Sequence, residues 1–209
     1  METAPKKSLS KNQKKLIIAC GALAKEIKFL LAQLNGDDID LLFLPAIWHN
    51  SPQKIIPALK RLLAEHQSQY KKIYIGYADC GTGGLLDRFL VDEKLQRLPG
   101  AHCYQFFAGM EEFEDMMKKE VGSFFLTDYL ARHFDELIWQ DMGLAKHPEL
   151  LKTMFGGYKK IVYLAQTDDP SLTELAQKAS QKMGLGFERR FTGYGLLQPF
   201  IHHIHAQTL

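Results

Sequence analysis

The 209-residue sequence predicts an α/β fold, in which an open, mainly parallel sheet of Rossmann-like type carries helices on both faces and a helical insertion in mid-chain. Three observations carry this reading. Short apolar runs alternate with amphipathic stretches of helical spacing, in a β-α order repeated three times. The runs are apolar on successive residues, as strands covered on both faces are. The connections are long enough for the helical crossovers that parallel strands require.

From Lys15, LIIA reads as a strand, Cys20 and Gly21 as a sharp turn, and ALAKEIKFLLAQLNG as a helix ending near Asn35 and Gly36. IDLLFLP is a second buried strand and AIWHNSP a loop. A helix follows from about Pro52 to Gln67, and Pro57 inside it introduces a kink or marks a later start. KKIYIGYA is the third strand, DCGTGG its loop and LLDRFLVDEKLQ its helix. LPGA then leads into HCYQFF, read as a fourth strand.

Residues 109–157 differ in character: MEEFEDMMKKEV, FFLTDYLARHFDELIWQ and HPELLKTMF all read as helices rich in aromatics and methionine, the insertion over the sheet. KKIVYLAQ supplies another strand, PSLTELAQKASQKMG a helix capped by Ser171 or Asp169, and FERRFTG a final edge strand. Residues 1–14 read as a disordered polar tail and residues 15–209 as one domain. The openings YKKIYIGY and YKKIVYLA resemble each other as strands of like environment do, without requiring duplication.

Composition narrows the function. The formal charge is +2, with basic and acidic residues interleaved, which argues against nucleic acid as the main ligand. The lysine-rich start lacks the apolar core of a signal peptide, and no run of eighteen apolar residues exists, so a cytoplasmic protein with no membrane partner is expected. Three cysteines is an odd count. In a reducing compartment such thiols serve as metal ligands, nucleophiles or packing residues more often than as bridges.

The predicted strand ends place Cys20, Cys80 and Cys103 on one carboxyl rim, where open parallel sheets bind ligands. Soft thiolates favour zinc or an iron–sulfur cluster, so these three residues are the candidate metal ligands. His49, in the loop after the second strand, is a fourth ligand or a general base, and Cys80 with His49 also forms a metal-free nucleophile and base pair. Gly81, Thr82, Gly83 and Gly84 follow a strand and precede a helix, so their N–H groups form a nest for an anionic small-molecule substrate. GTGG lacks the lysine and the Ser/Thr of a P-loop.

Asp168, after a later strand, is a further substrate-binding candidate, with capping of the next helix as the alternative for the Asp168–Asp169 pair. Asp128, Arg132 and His133 read as ordinary surface pairing. The terminal His202, His203 and His205 read as a segment with no ligand role.

The combination ACGALAKEI, LPAIWHN, YADCGTGGLLD, HCYQFFAG, FFLTDYLARHFD, YLAQTDDP and TGYG resembles the bacterial and archaeal family of domain of unknown function 1638, from about Lys15 to Phe200. That resemblance implies a place beside corrinoid-dependent methyltransferases and their corrinoid proteins, hence one-carbon chemistry. The expected function is a metal–thiolate enzyme or enzyme component of methyl transfer, holding zinc or an iron–sulfur cluster and in indirect contact with a corrinoid. The alternative is a non-catalytic accessory protein that docks on a corrinoid protein or methyltransferase.

Overall fold

Parallel β-α units form as the apolar runs require, but they build two three-stranded sheets. The computed structural model describes residues 9–207. Within it the chain divides into two compact units: residues up to Pro99 joined by the segment from Pro199 onward, and Gly100–Gln198.

In the first unit β1 (Lys15–Cys20), α1 (Ala24–Gln33), β2 (Ile39–Leu44), α2 (Ile55–His66), β3 (Lys72–Gly76) and α3 (Leu85–Asp92) follow one another. The sheet order is β2-β1-β3, with both pairings parallel. The central strand β1 buries Leu16, Ile17, Ile18 and Ala19 completely, which explains its unbroken apolar run. A 3-10 turn over Pro52–Lys54 precedes α2, so Pro57 lies in the first helical turn, where its missing N–H costs no ladder bond. A parallel bridge between Ile75 and Arg97 extends the sheet beyond β3.

Gly76 is set by close approach. In register it faces Ala19, and a Cβ at Gly76 would stand 2.6 Å from the Ala19 Cβ. Gly76→Ala should therefore push β1 and β3 apart and cost about 1–3 kcal/mol. Chemical denaturation checks this, and an unchanged midpoint would contradict it.

The second unit contains α4 (Cys103–Ala108), α5 (Met110–Lys119), β4 (Ser123–Leu126), α6 (Asp128–Arg132), a π-helical turn over Asp135–Gln140, α7 (Leu150–Phe155), β5 (Lys160–Ala165), α8 (Pro170–Met183) and β6 (Gly186–Phe191). α9 (Leu197–Ala206) begins there and ends in the first unit. Order β4-β5-β6 is again wholly parallel. Alternate residues of β5 serve two cores: Ile161, Tyr163 and Ala165 pack with α6 and α8, and Val162 and Leu164 pack with Phe113 and Met116 of α5. β6 is an edge strand, as its charged sequence suggests; Glu188 and Arg190 pair with each other, Glu188 also with Lys160, and Arg190 also with Glu120.

Three expectations need correction. HCYQFF is not a strand: His102 is the extended N-cap of the helix α4, and Tyr104 and Ala108, one helical turn apart, pack on the Phe113 cluster. The stretch 109–157 is not wholly helical: Ser123–Leu126 forms β4, whose Leu126 and Phe125 enter opposite cores. The sheet is accordingly two sheets, since β4 starts a second parallel set. Of the polar tail, residues 1–8 lie outside the described residues, while Lys11–Gln13 forms a 3-10 turn capped by Ser10. Among the described residues no helix is long and apolar enough to cross a membrane.

Candidate functional site

The carboxyl edge of the first sheet holds the chemistry. Parallel pairing sets Ala19 beside Gly76, the last pair of the ladder, and Cys20 and Tyr77 follow directly on these two residues. Tyr77 is buried, and its hydroxyl touches the Cys20 thiol without a hydrogen bond of regular geometry to any partner. Both the Cys20 and Cys80 thiols are near enough to act on it electrostatically.

Cys80 is set there by an unusual backbone. Its φ is 50°, the left-handed region that non-glycine residues enter at a cost of about 1–3 kcal/mol. The turn is held by Asp79. That carboxylate accepts hydrogen bonds from the Thr82 hydroxyl at 2.5 Å and from the backbone N–H groups of Gly83 and Gly84, both at 3.0 Å. Thr82 in turn accepts from the Leu86 N–H at 3.2 Å, which ties the turn to the first turn of α3.

Of the N–H groups expected to form a nest over Gly81–Gly84, those of Gly83 and Gly84 converge on the chain's own Asp79 carboxylate. These two donors are engaged internally, so an external anion would have to displace a carboxylate. Asp79 was not singled out in the sequence, although an Asp directly before a glycine-rich turn is the residue type that binds its own following backbone.

Burial dominates the thiols' electrostatics. It pushes the Cys80 thiol up to about 12; Cys20 and Asp79 add to the rise, while a backbone hydrogen bond at Ala78 and the charge of Arg97 oppose it. Arg97 is itself held by a two-pronged pair to Asp87, at 2.6 and 2.8 Å. The Cys20 thiol is raised as well, by burial first, with the Ala22 backbone and Tyr77 pulling the other way. Tyr77 is raised by burial and by both thiols.

Both thiols therefore carry their protons at neutral pH, which weighs against Cys80 as a free nucleophile in the resting protein. Alkylation of Cys80 in the folded chain should be slow at pH 7 and still climb about tenfold per pH unit at pH 10, since only the thiolate reacts. Mass mapping of the label checks this; a plateau above about pH 9, the behaviour of an ordinary thiol, would contradict it.

The remaining candidates separate. His49 is exposed on the 3-10 segment Ala46–Asn50. Its loop reaches both cysteine turns: a Cβ at Gly21 would meet the Ala46 nitrogen at 3.4 Å, and one at Gly81 would meet Pro52 at 3.6 Å. Cys103 belongs to the second unit, where it opens α4. Among the described residues no group of three or more His, Cys, Asp or Glu side chains stands where it could hold a metal ion. The structure brings together Cys20 and Cys80, and Tyr77 with them.

At the carboxyl edge of the second sheet, Asp168 is 88% exposed and pairs with Arg189 at 2.7 Å, while Asp169 caps α8 by accepting from the Ser171 N–H at 2.9 Å. Asp128 is not a surface residue. At 2% exposure it accepts from the Tyr163 hydroxyl (2.6 Å), the Gln166 N–H (2.9 Å), and the Thr167 N–H (3.0 Å) and hydroxyl (2.5 Å). Its own N–H donates to the Gln166 side chain at 2.7 Å. His202 and His203 lie exposed on α9 and His205 is half-buried.

No curated protein and no solved structure matches the chain. A family model described as "Protein of unknown function (DUF1638)" matches residues 43–201, a span that includes the Asp79–Gly84 turn, His49 and Cys103 and begins after Cys20. With three-quarters of its length so matched, the chain belongs to the family of domain of unknown function 1638.

Proposed function

We propose that the protein is a metal–thiolate enzyme, or enzyme component, of one-carbon metabolism, with a soft metal ion held by Cys20 and Cys80 at the carboxyl edge of the first sheet. The observation that supports it is the convergence of two thiols, from separate strand-to-helix turns, on one buried hydroxyl that lacks a regular partner. Two neutral thiols packed there are poor company for each other as anions, and a cation between them reverses that. Thiolate donors select zinc among the common divalent ions of the cell. A cluster is normally held by four cysteines, one more than the chain contains, so zinc is the better fit.

Two protein sulfurs leave positions open for water or for a substrate sulfur. A zinc-bound thiol loses its proton and becomes the nucleophile that methyl transfer needs. His49, on the loop that reaches both turns, is the base of this reading. A corrinoid protein or methyltransferase is the partner of this reading.

Anaerobic purification followed by elemental analysis tests the proposal, with about one zinc per chain expected. A metal-free chain that still binds its partner would favour the accessory-module reading instead.

A further inference from the structure

The second unit holds a cavity of its own, of about 290 Å³, lined by the end of α6, the π-helical turn and α8, which packs on α6. That volume is close to the lower end of small-molecule sites, about 300 Å³. The lining divides by chemistry. Phe134, Leu175 and Ala179 give an apolar wall, and Leu175 is left 38% exposed there. Arg132, Lys178 and Lys182 bring permanent cations, against the carboxylates of Asp135 and Glu136.

Both carboxylates are already occupied. Asp135 pairs with Lys182, whose ammonium also lies 4.5 Å from the centre of the Trp139 ring, and Glu136 stands 3.6 Å from His133 Nδ1. Among the described residues Arg132 and Lys178 take part in no ion pair, although the charge of Arg132 is felt by Asp169 at the head of α8. The wall itself is unusual. In the π-helical turn the Asp141 N–H donates to the Glu136 carbonyl at 3.2 Å, and five-residue spacing brings Asp135 and Gln140 to the same cavity. Such turns are rare and gather at functional sites.

We propose that this cavity binds a small organic phosphate monoester, its phosphate between Arg132 and Lys178 and its apolar body against Phe134 and Leu175. A guanidinium fork matches two phosphate oxygens, and an ammonium adds a second point charge. Two cations without carboxylate partners suit a group that carries a charge of about −1.5 to −2 at neutral pH. A carboxylate ligand would neutralise only one of them. The site is separate from the proposed thiol chemistry and does not depend on it.

Calorimetric titration of the full chain with phenyl phosphate, inorganic phosphate and benzoate tests the proposal. Phenyl phosphate should bind one to one, and more weakly as salt is added. Arg132→Met should weaken it by at least about tenfold, through loss of charge-assisted hydrogen bonds. Lys178→Met, which removes an exposed charge, should weaken it about two- to fivefold. Asp135→Asn releases Lys182 and should tighten binding by a similar factor of about two to five, a gain that a folding defect does not produce. If Arg132→Met fails to fold by circular dichroism, the opposite shifts of the other two variants decide.

Inorganic phosphate lacks the apolar body and benzoate the second charge, so each should bind more weakly than phenyl phosphate. The absence of saturable binding would overturn the site, as would affinities that none of the substitutions moves. Inorganic phosphate binding as tightly as phenyl phosphate would overturn the role of the apolar wall. Benzoate binding as tightly would overturn the assignment to phosphate.

Discussion

Asp128→Ala is expected to destabilise the second unit by at least about 3 kcal/mol, which is large for a single side chain. The carboxylate is buried at the junction of β4 and α6 and accepts four hydrogen bonds from the end of β5: the Tyr163 hydroxyl, the Gln166 N–H, and the Thr167 N–H and hydroxyl. Removing it takes the acceptor from two buried donors, the Tyr163 hydroxyl and the Gln166 N–H, and from two part-buried ones on Thr167. Each is a bond to a charged group, of the kind worth about 1.5–3 kcal/mol. Tyr163, whose hydroxyl is held protonated by burial and by Asp128, would lose its partner inside the core.

For a chain of this length the midpoint of thermal unfolding should fall by about 6–12 °C. Asp128→Asn, which keeps an acceptor oxygen but turns the other into a donor, should fall in between. A loss below about 1 kcal/mol for the alanine variant would mean that the four bonds are not those that join β4 to β5.

Cys80→Ser is expected to abolish stoichiometric zinc binding while leaving the fold in place. The two side chains differ by one atom, and the Asp79 bonds that hold the turn involve Thr82, Gly83 and Gly84 rather than Cys80. Serine offers a hard, weakly acidic oxygen where the ion needs a soft anion, so affinity should drop by at least about 100-fold, the upper end of what a mere supporting residue costs. Cys20→Ser should behave likewise, and the two-cysteine reading expects Cys103→Ser to leave binding unchanged. Circular dichroism of each variant separates loss of metal from loss of fold.

Much of this edge was legible in the sequence, and the reasons are physical. LIIA and IYIG are apolar on every residue because both faces of β1 and β3 are covered, so their ends, and with them Cys20 and Cys80, could be located. Cys103 could not. Six residues of mixed aromatic and polar type fit strand and helix equally, and the run is too short for its period to decide between them. β4 was hidden for the opposite reason: Phe124, Phe125 and Leu126 are too few to show a period.

Tyr77, Asp79 and Asp128 were hidden differently. Tyr77 reads as one more core aromatic until its hydroxyl is found touching the Cys20 thiol. Asp79 carried a signal in its glycine-rich successor segment. Asp128 looked like a helix-face partner of Arg132, and its real partners lie 35 to 39 positions away in sequence.

X-ray absorption at the zinc edge of the zinc-loaded protein addresses the two-cysteine site most directly. Two sulfur atoms at about 2.3 Å from the ion are expected, and neither Cys20→Ser nor Cys80→Ser should hold a stoichiometric ion under the same loading. A shell containing only nitrogen and oxygen at about 2.0–2.2 Å, unchanged by either substitution, would contradict the account.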